Sequence, residues 1–253
     1  MPTLEANTRR EETMRRLSYR ETSARGMTQT SWLKSHHSFS FGQYYDPEHL
    51  GFHALRVIND DWVAAGGGFP PHSHKDMEII TVMIEGSLEH QDSMGHHDVI
   101  APGAVQRMSA GRGIKHSEFN HSKTESCRFL QIWLQPNVKG IAPEYDQRSL
   151  NLQRASTQIF ASPDGRDGSM TIHQDAILSS INLGAGDTLT LPIGQNRALW
   201  LQLISGQILV QSSDGERLIA RGGDGVAANE TGDLTLTTDF GASLIAFDLN
   251  ATL

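Results

Sequence analysis

Gly66-Gly67-Gly68-Phe69-Pro70-Pro71-His72-Ser73-His74-Lys75-Asp76-Met77-Glu78 is the stretch around which the chain is organised, and Gly113-Ile114-Lys115-His116-Ser117-Glu118 answers it further along. In an extended strand alternate side chains share a face, so His72 and His74 point one way, and His116 and Glu118 do likewise on their own strand. On adjacent strands the two pairs converge on one point. Three imidazoles and a carboxylate suit iron, nickel, copper, manganese or zinc, so a site for one divalent transition metal is the leading expectation. The glycines give the approach freedom, and Pro70-Pro71 stiffens the entry to the strand.

Outward from this stretch the chain reads as strands and turns. Ile79-Ile80-Thr81-Val82-Met83-Ile84 is a β-branched run that closes at Glu85-Gly86, and Ser87-Leu88-Glu89-His90-Gln91-Asp92 alternates before a turn at Ser93-Met94-Gly95. Val105 to Ala110 and Phe129 to Leu134 continue the pattern, while Leu55 to Asp61 reads as a strand ending in a turn. Phe39 and Phe41 alternate like a strand edge. The adjacent His36 and His37 face opposite ways, which favours structural roles over a shared metal. Short strands separated by Gly and Pro, with almost no helical periodicity, predict an all-β chain built as antiparallel barrels or sandwiches.

The second half repeats the first. Gly86, Gly95 and Gly103 recur as Gly206, Gly215 and Gly223, and Ile80 to Ile84 falls on Trp200 to Ile204. At that spacing His72, His74 and Glu78 meet Pro192, Gly194 and Ala198, and His116 and Glu118 meet Leu236 and Thr238, give or take a residue or two. The fold alone therefore does not call for histidines, and their presence in the first copy points to chemistry. His173 reads as structural.

Composition bounds the function. A chain of 253 residues that is 38% hydrophobic can bury a sizeable core. A net charge of -8 argues against nucleic acid or anionic membrane as partners. No apolar run serves as a signal-peptide core or a membrane span, so a cytoplasmic location is expected. The single cysteine, Cys127, allows no disulfide framework and reads as a small buried hydrophobe. Residues 1–26 form a charged extension expected to be loose or partly helical, followed by a metal-binding unit at 27–150 and a unit lacking metal ligands at 151–253.

Together these residues resemble a family. Gly66-x5-His72-x-His74-x3-Glu78 with Gly86 looks like the first cupin motif. Phe39-Ser40-Phe41, His74-Lys75-Asp76-Met77-Glu78, Gln91-Asp92-Ser93-Met94-Gly95 and Met108 through Glu118 resemble the pirin family, most closely its bacterial quercetinase-like members. The resemblance runs from about Trp32 to the C-terminus and implies a bicupin, two antiparallel β-barrels of the double-stranded β-helix or jelly-roll type in one chain. It implies metal in the N-terminal barrel alone, held by His72, His74, His116 and Glu118, with iron the expected ion. Glu78, the metal ligand of many cupins, is assigned a supporting hydrogen-bonding position, the alternative being direct ligation.

The resemblance further implies quercetin 2,3-dioxygenase activity. A flat flavonol and O2 would be the substrates, Glu118 the base that takes the 3-hydroxyl proton, and carbon monoxide a product of ring opening. Phe39, Phe41, Phe69 and Phe119 are candidates for the walls of the substrate pocket. Two other readings fit a metal cupin: a redox-sensing regulator acting through a protein partner, and a sugar-phosphate isomerase, whose motifs are less similar.

Overall fold

The computed structural model describes residues 17–150 and 156–252. Its regular structure is almost wholly strand, with two short 3-10 turns, Thr22–Ala24 and Arg166–Gly168, and no α-helix among the described residues. The first half runs through β1 (Leu17–Arg20), β2 (Gly26–Gln29), β3 (Leu33–His37), β4 (Leu55–Val63), β5 (Gly68–His74), β6 (Glu78–Glu85), β7 (Leu88–Asp92), β8 (His97–Ile100), β9 (Ala104–Ser109), β10 (Ile114–Asn120), β11 (Cys127–Leu134) and β12 (Glu144–Ser149). The second comprises β13 (Ser156–Ser162), β14 (Met170–Thr171), β15 (Ala176–Leu183), β16 (Thr188–Ile193), β17 (Arg197–Ser212), β18 (Arg217–Arg221), β19 (Gly225–Ala228), β20 (Gly232–Thr237) and β21 (Ala242–Asn250).

In the first half, β12-β9-β6-β11-β4-β3-β2 make one sheet and β5-β10-β7-β8 another. They face each other as an open sandwich, so the expected all-β bicupin is present but its barrels are not closed by hydrogen bonds. The second half builds its sheet as β1-β19-β17-β21-β15-β13-β14, and the long β17 also carries β18 and β20. The three turn glycines of each copy take the left-handed region pairwise: φ is 69°, 99° and 74° at Gly86, Gly95 and Gly103, against 80°, 93° and 94° at Gly206, Gly215 and Gly223. A side chain there would strain the backbone, which is why the turns kept glycine in both copies.

Two expectations change. Leu17–Arg20 is not a loose arm: β1 pairs antiparallel with β19 of the second half, Leu17 opposite Ala228. The rest of the charged segment, residues 1–16, and the boundary at 150/151 with residues 151–155 lie outside the described residues. Asn59-Asp60-Asp61 do not turn the chain, because β4 continues to Val63 with all three buried. Asp60 faces the second half, and Arg128 of β11 binds it through two nitrogens at 2.9 and 3.1 Å while reaching the Ile204 carbonyl of that half.

The cores explain the layout. One apolar cluster, with Ile58, Ile80, Ile132, Trp200 and Phe247, joins the backs of the two halves. Inside the second half a single cluster runs from Leu191 through Val210 and Leu234 to Leu244. Inside the first half the core is split, with Leu33, Val63, Met83 and Phe129 in one cluster and Ile79, Met108 and Ile114 in another. A polar belt takes up the space between, and the histidines lie on it.

Candidate metal centre

β5 is an edge strand bonded to β10, so Pro70 and Pro71 sit where missing N–H groups do no harm. His72 lies opposite His116 and His74 opposite Ile114; a register shift between His116 and Glu118 then brings Glu118 opposite Phe69. On its other side β10 pairs with β7, placing Glu118 directly across from His90. The ring centroids of His72, His74 and His116 are 4.4 to 4.9 Å apart. Their candidate ligand atoms all fall within 4.8 Å of one another, and so do those of a second trio, His90, His116 and Glu118.

The donor set is prepared for a cation. His72 Nδ1–H donates to the Pro70 carbonyl at 2.8 Å, which leaves Nε2 with its lone pair free. Burial, together with the neighbouring imidazoles, pushes His74 and His116 down to about 3, so both are neutral donors. His116 is 1% exposed, yet neither of its ring nitrogens has a hydrogen-bond partner. Two orphaned nitrogens in an interior are costly, and a metal ion removes that cost at whichever nitrogen binds it. Glu118 is also 1% exposed. Gln131 Nε2 donates to it at 3.0 Å, and Thr81 Oγ1, 3.3 Å from it, donates to Gln131 Oε1 at 2.7 Å, while burial raises the Glu118 carboxyl above the usual range. Three imidazoles with a carboxylate alongside fit a divalent transition metal.

Glu78 is placed elsewhere, which corrects the supporting position expected for it. Lys75-Asp76-Met77 separates β5 from β6, with Asp76 at a φ of 49°, so strand parity does not carry across to Glu78. On β6, Thr81 faces the cluster and Glu78 faces the other half of the molecule. Ser109 Oγ donates to Glu78 at 2.7 Å, and Arg107 and His173 lie close to it. His173 in turn approaches Glu144 at 3.3 Å, in keeping with a structural role.

Beside the cluster lies a cavity of about 390 Å3. β5 contributes Phe69, Pro70, Pro71, His72 and His74, and β2 and β3 contribute Thr28, Leu33, Ser35 and His37. Asn59, Asp61, Gln131 and Trp133 line it from the large sheet, with Phe41 and Glu118. Of the four phenylalanines expected on its walls, Phe41 and Phe69 are there. Phe39 is not: it is 2% exposed and packs on Trp200 with centroids 4.8 Å apart, in the core between the halves. Nor is Phe119, which follows Glu118 and so alternates to the outer face at 36% exposure.

Several neighbours escaped the sequence reading. His90 is fully buried, 5.3 Å from the His116 ring and under Tyr145 at 5.0 Å. Its signal was the parity of Leu88, His90 and Asp92 on a strand whose other face is polar. Thr81 and Gln131 were visible as lone polar residues in apolar runs. His37 does line the cavity, although its hydrogen bonds to Thr28 (2.8 Å) and Asn59 (2.7 Å) are the structural kind expected.

A profile of the family described as Pirin matches residues 19–134, and one described as Quercetinase C-terminal cupin domain matches residues 159–249. A protein of Escherichia coli named quercetin 2,3-dioxygenase is 42% identical over 230 residues, spanning 91% of this chain and 97% of that protein. The chain belongs to the pirin family. A pirin-like protein of Caulobacter vibrioides is 38% identical and shares 86% of this chain and 92% of its own length. Among solved structures, the bacterial pirin YhhW of Escherichia coli, in complex with nickel(II), superposes with a TM-score of 0.87 at 41% identity, covering 92% of this pirin and 99% of that chain. The family match begins at residue 19, inside β1, ahead of the start near Trp32 read from the sequence.

Proposed function

We propose that this pirin is a metal-dependent dioxygenase that opens a flavonol such as quercetin with O2. The observation that carries the reading is that His72, His74 and His116 gather their ring nitrogens, and His116 does the same with His90 and Glu118, beside a cavity lined by Phe41, Phe69 and Trp133. The size suits a small aromatic ligand, since such sites run from about 300 to 1,000 Å3. The name of the Escherichia coli relative supports it. We propose His72, His74, His116 and Glu118 as the ligands of one divalent transition metal, confined to the first half. Iron is the expected ion, and the nickel in the YhhW structure makes nickel the first to test.

When bound, such an ion would polarise the ligand oxygens and bring substrate and O2 together. The chain's own residues do the rest. Phe41, Phe69 and Trp133 hold a flat ring and exclude water. Glu118, held by Gln131, accepts the flavonol 3-hydroxyl proton on its carboxylate. Burial raises that carboxyl, which makes it a stronger base than a solvated one. Both atoms of O2 end in the ring-opened ester and carbon 3 leaves as carbon monoxide, so no external reductant is needed. Metal-loaded protein and quercetin should be inert under nitrogen, and admitting air should bleach the flavonol band and release carbon monoxide. No oxygen-dependent loss with iron, nickel, copper or manganese would overturn the reading.

A further inference from the structure

The cavity is apolar on most of its surface, but one carboxyl in it belongs to no metal cluster. Asp61 lies on β4, is 2% exposed, and lines the cavity with Glu118. Its Oδ1 has no hydrogen-bond partner. The polar groups around it are occupied with one another: Asn59 Oδ1 accepts from His37 Nδ1–H, and Thr28 Oγ1 bonds His37 Nε2. Ser35 sits opposite Asp61 on β3 and offers one hydroxyl proton. A carboxyl has acceptor capacity for several donors. This one is therefore left with unused capacity inside a cavity whose side-chain amides are already bonded, Asn59 to His37 and Gln131 to Glu118.

A buried acceptor without a donor is costly in the empty cavity and selective in the filled one. We infer that Asp61 is a specificity residue that accepts a hydrogen bond from a hydroxyl group of the ligand, selecting planar phenols that carry a hydroxyl besides the one directed at the histidines. The inference rests on the flavonol reading and narrows it: polyhydroxylated flavonols bind, and a flavonol bearing the 3-hydroxyl alone binds poorly. In the second half the same strand position is Ile181, fully buried in an aliphatic core, so the fold does not require a carboxyl there.

The test is a calorimetric titration of nickel-loaded protein under nitrogen with quercetin and with 3-hydroxyflavone, using the natural chain and Asp61→Leu, which keeps the shape and has no acceptor. Wild type should prefer quercetin by about tenfold or more, and Asp61→Leu should weaken quercetin about 10- to 100-fold while leaving 3-hydroxyflavone within about twofold. Equal affinities in wild type, or a loss shared by both ligands or absent from both, would overturn the inference. The wild-type ratio alone decides should the variant fail to fold. Admitting air separates the two readings. Consumption of both flavonols without an Asp61-dependent preference sinks this inference and spares the dioxygenase; an Asp61-dependent preference without consumption does the reverse. Failure of wild type to bind either flavonol sinks both.

Discussion

The two halves of this pirin use the same strands for different interiors. Hydrogen-bond register, followed strand by strand, sets His72 and His74 against Leu191 and Ile193, and His116 and Glu118 against Leu234 and Leu236. His90 corresponds to Val210, Thr81 to Leu201, Gln131 to Ala246 and Asp61 to Ile181. The polar residues that split the core of the first half are thus replaced by aliphatic ones in the second, where the core is continuous. The second half shows what the fold needs, and the difference is what the site adds. The counterparts differ by one or two positions from those read off a constant spacing, because β5 carries an extra residue at its register shift against β10 that β16 lacks against β20, and because the link between β19 and β20 is shorter than that between β9 and β10.

The largest effect is expected from Glu118→Gln, which keeps the shape and the Gln131 and Thr81 neighbours but removes the base: the rate of oxygen-dependent flavonol loss should fall about 10^2- to 10^4-fold. A rate within a few-fold of wild type would remove Glu118 from the chemistry. Next comes the reverse exchange in the second half. Leu236 is fully buried among Val210, Leu234 and Leu189, so Leu236→Glu places a carboxylate without partners in an aliphatic core. We expect a loss of roughly 3–5 kcal/mol in urea unfolding, with no gain of metal.

A smaller effect sharpens the same contrast through pH. Burial, reinforced by Asp60 and Glu118, pushes the Asp61 carboxyl up to about 7. A carboxyl raised above its unfolded value stabilises the fold fully below the ordinary carboxylate range, and that contribution is lost as pH rises through about 7. Asp61→Asn removes the dependence, so its advantage over wild type in urea should be larger at pH 8 than at pH 5, on the order of 2–4 kcal/mol. An unchanged difference between the two pH values contradicts the burial argument. The smallest contrast is between two phenylalanines. Phe41→Ala should raise the KM for quercetin, whereas Phe119→Ala, on the outer face, should leave it within about twofold.

Strand parity led from the sequence to the all-β fold and to the grouping of His72, His74 and His116. Strand parity joined His72 to His74 and His116 to Glu118, and the repeat removed the suspicion that packing alone explained them. Parity failed where the chain turns. Asp76 reverses the direction between β5 and β6, so Glu78 ends on the far face of the sheet although it lies within a few residues of His74. Asp61 was hidden for another reason: Asn59-Asp60-Asp61 has the composition of a turn, and only tertiary pairing with β3 and β11 shows that it is strand. Phe39 and Phe119 were judged by nearness in sequence, which carries no information about which face a strand residue takes.

The claim that everything else depends on is that the first half holds one ion and the second none. The direct measurement is metal content per chain, by elemental analysis after nickel loading and gel filtration, for wild type and His74→Ala. The account expects about one nickel per chain in wild type and about 0.1 or less in the variant, since loss of a ligand from a small set weakens binding by well over tenfold. A variant that keeps a full equivalent, or a wild-type chain that holds two or none, would contradict it.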